Sequence, residues 1–169
     1  MVEFSDLDEV WLVVTPHNPH KTKSTLLGDN HRLNMVRIAL DDYPKLKASN
    51  IEFELKQPNY TVNTLTYLEE EHPDLDFCVI MGEDNLKNFH KWKNHEVILD
   101  RHSIYVYPRI SQGLVNTRFV NHPKIQKVNA PIMEISATLI RSSIKNAKNI
   151  RPMLPHNVWQ YVDEMNFYK

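Results

Sequence analysis

Four short constellations in this sequence combine residue types able to hold an anion or a sugar. Pro16-His17-Asn18-Pro19-His20-Lys21 puts two imidazoles and an ammonium on a proline-stiffened loop, which suits an anionic substrate. As a zinc site it lacks further ligands at a recognised spacing, and taken alone such a segment is more often a solvated loop. Gln57-Pro58-Asn59-Tyr60-Thr61-Val62-Asn63-Thr64-Leu65 opens a helix on polar residues. Exposed N–H groups there could hold a carboxylate or phosphate, although for a lone Asn-x-Thr cluster simple N-capping is the more common explanation. Ile80-Met81-Gly82-Glu83-Asp84-Asn85 ends an apolar run with glycine and continues with carboxylates, where an acidic side chain can bond ribose hydroxyls. Trp92, about two helical turns further on, is either core or a stacking platform. In Ile135-Ser136-Ala137-Thr138-Leu139-Ile140-Arg141, Ser136 can cap a helix while Thr138 and Arg141, three apart, share one face of its first turn. Free N–H donors, a hydroxyl and a guanidinium then converge as an anion cradle. Capping accounts for the serine but not for the arginine.

The elements that must position these groups alternate between strand and helix. Glu9 to Thr15 is a continuous apolar, β-branched run closed by Pro16, which predicts a buried parallel strand. Asp29 or Asn30 can cap a helix whose Leu33, Val36, Ile38 and Leu40 face a core, ending before Pro44. Ile51 to Leu55 alternates as an edge strand does. Val62, Leu65 and Leu68 form one face of the next helix. Phe77 to Met81 predicts a second buried strand, followed by helical stretches around Leu86 to Trp92 and Val97 to Leu99. Ile104 to Tyr107, Lys124 to Val128 and Ile132 to Ile135 are further strands. Two helices close the chain, from Thr138 to Ala147 and from Pro155 to Phe167, with proline at the second one's first turn. The order predicts an α/β fold with a doubly wound, mainly parallel sheet, in one domain over residues 1–169, with ligands at the carboxyl ends of the strands.

Composition narrows the chemistry. Hydrophobic residues at 41% and charged residues at 24% suit a globular domain rather than a disordered one. A formal charge of −1 gives no cationic field for nucleic acid. The single cysteine, Cys78, suits a reducing compartment, and no apolar run reaches membrane-helix length, so the cytoplasm is expected. Only three glycines are present, Gly28, Gly82 and Gly113, and they are scattered. That excludes a Walker A loop and a G-x-G-x-x-G turn, leaving helix N-termini and basic side chains as the means of binding phosphate.

Taken together, the order and spacing of the four constellations resemble bacterial nicotinate-nucleotide adenylyltransferases, within the nucleotidyltransferase superfamily of Rossmann-like folds. The likeness runs along nearly the whole chain. Pro16 to Lys21 looks like the family's proline-histidine-lysine loop. Pro58 to Leu65 is similar to its P-S-Y-T-x-D-T-L segment, with Asn59 and Asn63 where serine and aspartate are usual. Gly82-Glu83-Asp84 with Trp92 resembles its G-x-D…W stretch, and Ile135 to Arg141 its I-S-S-T-x-I-R signature, with Ala137 in place of the second serine. The resemblance implies attack of nicotinate mononucleotide phosphate on the α-phosphorus of ATP, giving deamido-NAD and pyrophosphate. It implies that Ser136, Thr138 and Arg141 hold the ATP phosphates and Asp84 the adenosine ribose. Tyr60, Thr61 and Thr64 with Trp92 would surround the nicotinate ring, and His20 and Lys21 would lie on the substrate and phosphate side. Mg²⁺ would enter with ATP, held chiefly by phosphate oxygens.

One departure stands out. The family opens with a strand leading into G-x-F-x-P-x-H-x-G-H, whose histidines stabilise charge on the reacting phosphates, and these 169 residues contain no H-x-G-H. Met1 to Leu7 resembles the closing turns of an amphipathic helix ahead of a strand. The expectation is an N-terminally truncated chain lacking the first strand and the catalytic helix start, poorly folded alone and without adenylyl transfer. The alternatives are a nucleotide-binding remnant without catalysis, or a related adenylyltransferase acting on nicotinamide mononucleotide or phosphopantetheine.

Overall fold

Strand β1, Val10–Val13, pairs in parallel with β2, Leu46–Ser49, with Val10 opposite Leu46 and Val13 opposite Ser49. Parallel neighbours require a crossover, and helix α1, Asp29–Leu40, lies between them in the chain. This is a computed structural model describing residues 1–16, 27–109, 118–119 and 121–169. The chain divides into two compact units, one of Met1–Leu7 with Pro58–Glu134 and the other of Asp8–Gln57 with Ile135–Lys169.

The β1–β2 unit is held together by helices. Ile140 and Ile144 of α5, Ala137–Lys145, and Val158 and Val162 of α6, His156–Glu164, recur at i, i+4 and are buried around Ile150. Met35, Ile38 and Ala39 of α1 pack against this cluster. His31 Nδ1 lies 2.8 Å from the Tyr161 hydroxyl, and its ring meets Phe167 edge-on at 4.9 Å, tying α1 to the C-terminal segment.

The other unit is built on the parallel sheet β3-β4-β5, formed by Val79–Gly82, Ile104–Tyr107 and Ile125–Lys127. Helices α2, Thr61–Glu71, α3, Glu83–Asn88, and α4, His95–Arg101, accompany it. Leu65, Met81, Leu86, Phe89, Ile98, Ile104 and Val106 form its core, with Phe89 fully enclosed. Phe89 meets Trp92 and Phe119 edge-on at 5.5 and 5.3 Å, the offset geometry aromatic pairs prefer. Tyr105 donates to Asp6 at 2.6 Å, fixing the N-terminal segment to β4.

The expected α/β class with parallel sheets is what the chain adopts, and several local expectations are corrected. The strand expected at Ile51 to Leu55 lies earlier, at Leu46–Ser49, and Ile51–Phe53 is a 3-10 turn. Ser49 Oγ accepts the Ile51 N–H at 3.3 Å, and Glu52, rather than its apolar neighbours, is buried. The apolar–polar alternation therefore belongs to a turn. Ile132 to Ile135 joins no ladder among the described residues, and Ile132, Met133 and Ile135 are exposed. The Tyr107 hydroxyl holds that stretch, donating to the Pro131 carbonyl at 2.6 Å and accepting the Met133 N–H at 2.9 Å. Helix α1 has Gly28 as its N-cap, which carries no side chain to cap with, and Asp29 and Asn30 lie inside the helix, Asp29 pairing with Arg32 at 2.5 Å. Pro155 is the N-cap of α6 rather than a residue of its first turn. Strand β1, expected to be buried, is only half buried, with Leu12 38% exposed, and among the described residues it has a ladder partner on one edge alone.

Candidate functional site

In the β3–β5 unit the first piece of the site is the start of α2. Tyr60 sits in extended conformation as its N-cap, and no side chain caps the helix. The Tyr60 carbonyl accepts the Asn63 and Thr64 N–H groups at 2.8 and 3.1 Å, and its side chain leaves the first N–H groups of this eleven-residue helix uncapped. Thr61 is the first helical residue and is half-buried. Thr64 is buried, and its hydroxyl donates to the Tyr60 carbonyl at 3.3 Å, so it holds the N-cap residue in place. Trp92 is half-buried, its edge contact with Phe89 anchoring one part of the indole while the rest stays accessible. The indole is thus part of the core wall. Lys93, beside it, places its ammonium 4.2 Å from the Tyr60 ring centroid, which brings the Trp92 segment against the start of α2.

The second piece lies at the carboxyl ends of β3 and β4. Parallel register sets Gly82 opposite Tyr107. Beyond the strand ends, Asp84 in the first turn of α3 meets Arg109, with Asp84 Oδ1 3.6 Å from Arg109 Nε. Glu83 Oε2 accepts the Arg109 N–H at 3.3 Å. A Cβ on Gly82 would lie 2.4 Å from Asp84 Oδ1, so the glycine lets the carboxylate approach the strand end, and its backbone angle is an ordinary one. Both Asp84 and Arg109 are more than two-fifths exposed. Such an ion pair contributes at most about 1 kcal/mol, and a polyol can replace it.

In the β1–β2 unit the third piece is the start of α5. Ser136 Oγ accepts the Leu139 N–H at 3.2 Å and thereby caps the helix. Arg141 Nη2 approaches Thr138 Oγ1 at 3.5 Å, so the hydroxyl and the guanidinium face the same open turn. Burial pushes the Tyr168 phenol up, and the nearby guanidiniums of Arg141 and Arg32 partly offset that shift. Arg32, at the first turn of α1, also donates to the Thr15 carbonyl at 2.6 Å, just past β1. Two arginines thus share this corner of the unit.

His20 and Lys21, with His17, lie outside the described residues. Three basic residues escaped the sequence reading. Arg109 follows from the parallel register of β3 and β4, Arg32 from the first turn of α1, and Lys93 from its neighbour Trp92, but none falls inside a motif. Among the described residues no group of three or more His, Cys, Asp or Glu side chains could hold a metal ion, and no helix is long and apolar enough to cross a membrane.

The chain is similar to known proteins along nearly its whole length. The model of the cytidylyltransferase-like family matches residues 3–143. A protein of Christiangramia forsetii named "Probable nicotinate-nucleotide adenylyltransferase" is 65% identical over 169 residues, covering all of this chain and 87% of the relative. One of the same name from Flavobacterium psychrophilum is 60% identical, covering 100% of this chain and 88% of the relative. Among solved structures, Plasmodium falciparum nicotinic acid mononucleotide adenylyltransferase complexed with NaAD superposes with a TM-score of 0.74. It is 18% identical and covers 95% of this chain and 82% of its own, a likeness of fold. By its family model and by these relatives, the chain belongs to the cytidylyltransferase-like family and, within it, to the nicotinate-nucleotide adenylyltransferases.

Proposed function

We propose that the protein transfers the adenylyl group of ATP to nicotinate mononucleotide, a step of NAD biosynthesis. A phosphate oxygen of the mononucleotide forms the new bond to the α-phosphorus. The bond from that phosphorus to the bridging oxygen breaks, and pyrophosphate leaves with the electron pair, giving deamido-NAD. ATP enters as its complex with a divalent cation, here taken as Mg²⁺, carried by the phosphates as part of the substrate.

The observation that carries this reading is the open first turn of α5. There Ser136 takes up one N–H, and Thr138 and Arg141 face outward beside the remaining donors. In the proposal these groups hold ATP phosphates. Asp84 exchanges its exposed partner Arg109 for the adenosine ribose hydroxyls. Tyr60 and Thr61, steadied by Thr64, receive the nicotinate ring against Trp92 at the uncapped start of α2. His20 and Lys21 take the phosphate side of the acceptor. No nucleophilic side chain is needed, because aligning two bound reactants supplies roughly 7–11 kcal/mol and each well-placed donor about 3–4 kcal/mol.

A second reading, a nucleotide-binding module without turnover, is favoured by one observation, the lack of H-x-G-H in these residues. The two are separated by incubating the chain with MgATP and nicotinate mononucleotide, alone and with an H-x-G-H strand–helix segment placed ahead of residue 1. The adenylyltransferase reading expects equal amounts of deamido-NAD and pyrophosphate from the extended form. No product from that form contradicts it. Fast turnover by the 169 residues alone contradicts the assignment of charge stabilisation to that motif.

A further inference from the structure

We propose that Lys93 selects the acceptor by charge, pairing its ammonium with the ring carboxylate and so favouring nicotinate mononucleotide over the uncharged carboxamide analogue. The inference rests on the reading above that the start of α2 receives the pyridine ring. Its physical basis is the way this lysine is held. Lys93 Nζ lies 4.2 Å from the Tyr60 ring centroid, against the residue that N-caps α2. A π-face attracts an ammonium without neutralising it. Among the described residues no carboxylate lies within ion-pair distance of Lys93, whereas Lys47, Arg101 and Lys169 each have one, in Glu9, Glu69 and Asp163. The charge is therefore steered to one place and left available.

The backbone fixes that place. Trp92 is anchored edge-on against the enclosed Phe89. Asn94 occupies the left-handed region at φ 51, and the His95 N–H returns to the Trp92 carbonyl at 3.2 Å. Lys93 thus sits inside a closed turn between a wedged indole and the first residue of α4. Its ammonium is brought to the same end of α2 where first-turn N–H groups lack a side-chain cap. Helix end and ammonium both favour an anion there, and both lose that advantage when the carboxylate becomes a carboxamide.

The test is calorimetric titration of the full chain, as wild type, K93Q and K93R, with nicotinate mononucleotide and with nicotinamide mononucleotide. Wild type is expected to bind the nicotinate form more tightly. K93Q is expected to reduce that preference by about fivefold, almost wholly by weakening the nicotinate form, and K93R to retain it. The wild-type preference should also shrink as added salt shortens the screening length from about 10 Å to about 3 Å. A K93Q protein that keeps the full preference, or weakens for both ligands equally, overturns the role of Lys93 and leaves the proposed function standing. A wild-type chain that binds neither mononucleotide overturns both.

Discussion

Replacing Gly82 by alanine tests whether Asp84 reads the nucleotide's ribose. The new Cβ would lie 2.4 Å from Asp84 Oδ1 and 3.3 Å from Arg109 Nε. Ordinary contact is at about 3.5 Å, so the carboxylate must retreat by roughly 1 Å. The Arg109 guanidinium gives by a few tenths of an ångström and the backbone stays, because φ at Gly82 is −77, a value alanine adopts freely, and both blocking atoms belong to exposed side chains. Losing the Asp84–Arg109 pair costs at most about 1 kcal/mol, and the entropy removed from the unfolded chain returns about 0.4–1 kcal/mol. The two terms nearly cancel, so Tm should stay within a few degrees. A ribose hydroxyl bonded at about 2.7 Å does not tolerate a 1 Å displacement. The loss of a hydrogen bond to a charged group, taken at its exposed end of about 1.5 kcal/mol, amounts to roughly a tenfold weaker Kd for ATP. Calorimetric titration with ATP and with inorganic tripolyphosphate reads this directly, since only ATP carries a ribose. Unchanged ATP affinity, or equal weakening for both ligands, would refute the reasoning.

Two further substitutions follow from the same structure. R141Q removes the guanidinium at the start of α5 and should weaken tripolyphosphate binding about tenfold, while R141K, which keeps charge but loses the fork, should recover only part of it. Titration with tripolyphosphate is the measurement, and full binding by R141Q would count against the cradle. The second concerns pH. The hydrogen bond to Asp6, and then burial, push the Tyr105 phenol up to about 12. The folded chain then holds this proton to higher pH than the unfolded one, so the contribution is intact below the ordinary value of 10.0 and is lost as pH rises toward about 12. Urea midpoints across that window should fall more steeply for wild type than for Y105F. Parallel slopes would show that the Asp6–Tyr105 contact carries no such linkage.

How much of this was legible in the sequence depends on where each signal resides. Strands β3 and β4 were readable because four or five consecutive apolar residues end at Gly82 and at Pro108. The start of α5 was readable because its cap and its arginine lie five residues apart in one local motif. Strand β2 was not, since Leu-Lys-Ala-Ser has little β-propensity and is recruited by pairing with β1. Its neighbour Ile51-Glu52-Phe53 imitates a strand, yet it is the glutamate that is buried. Ile132 to Ile135 has the composition of a strand, but a single tyrosine hydroxyl holds the chain there. Arg109 and Lys93 belong to no motif. The first is placed by the register of two strands and the second by a ring more than thirty residues away. Contacts of that kind are set by tertiary pairing, which one-dimensional spacing does not encode.

The central claim is that this chain binds ATP and a pyridine mononucleotide bearing a carboxylate. It is tested most directly by titrating the 169-residue chain with each ligand separately in a calorimeter. The account predicts saturable binding of ATP and of nicotinate mononucleotide, one of each per chain, with nicotinamide mononucleotide bound more weakly. Binding of ATP with no response to nicotinate mononucleotide would contradict the acceptor assignment, and binding of neither would contradict the account as a whole.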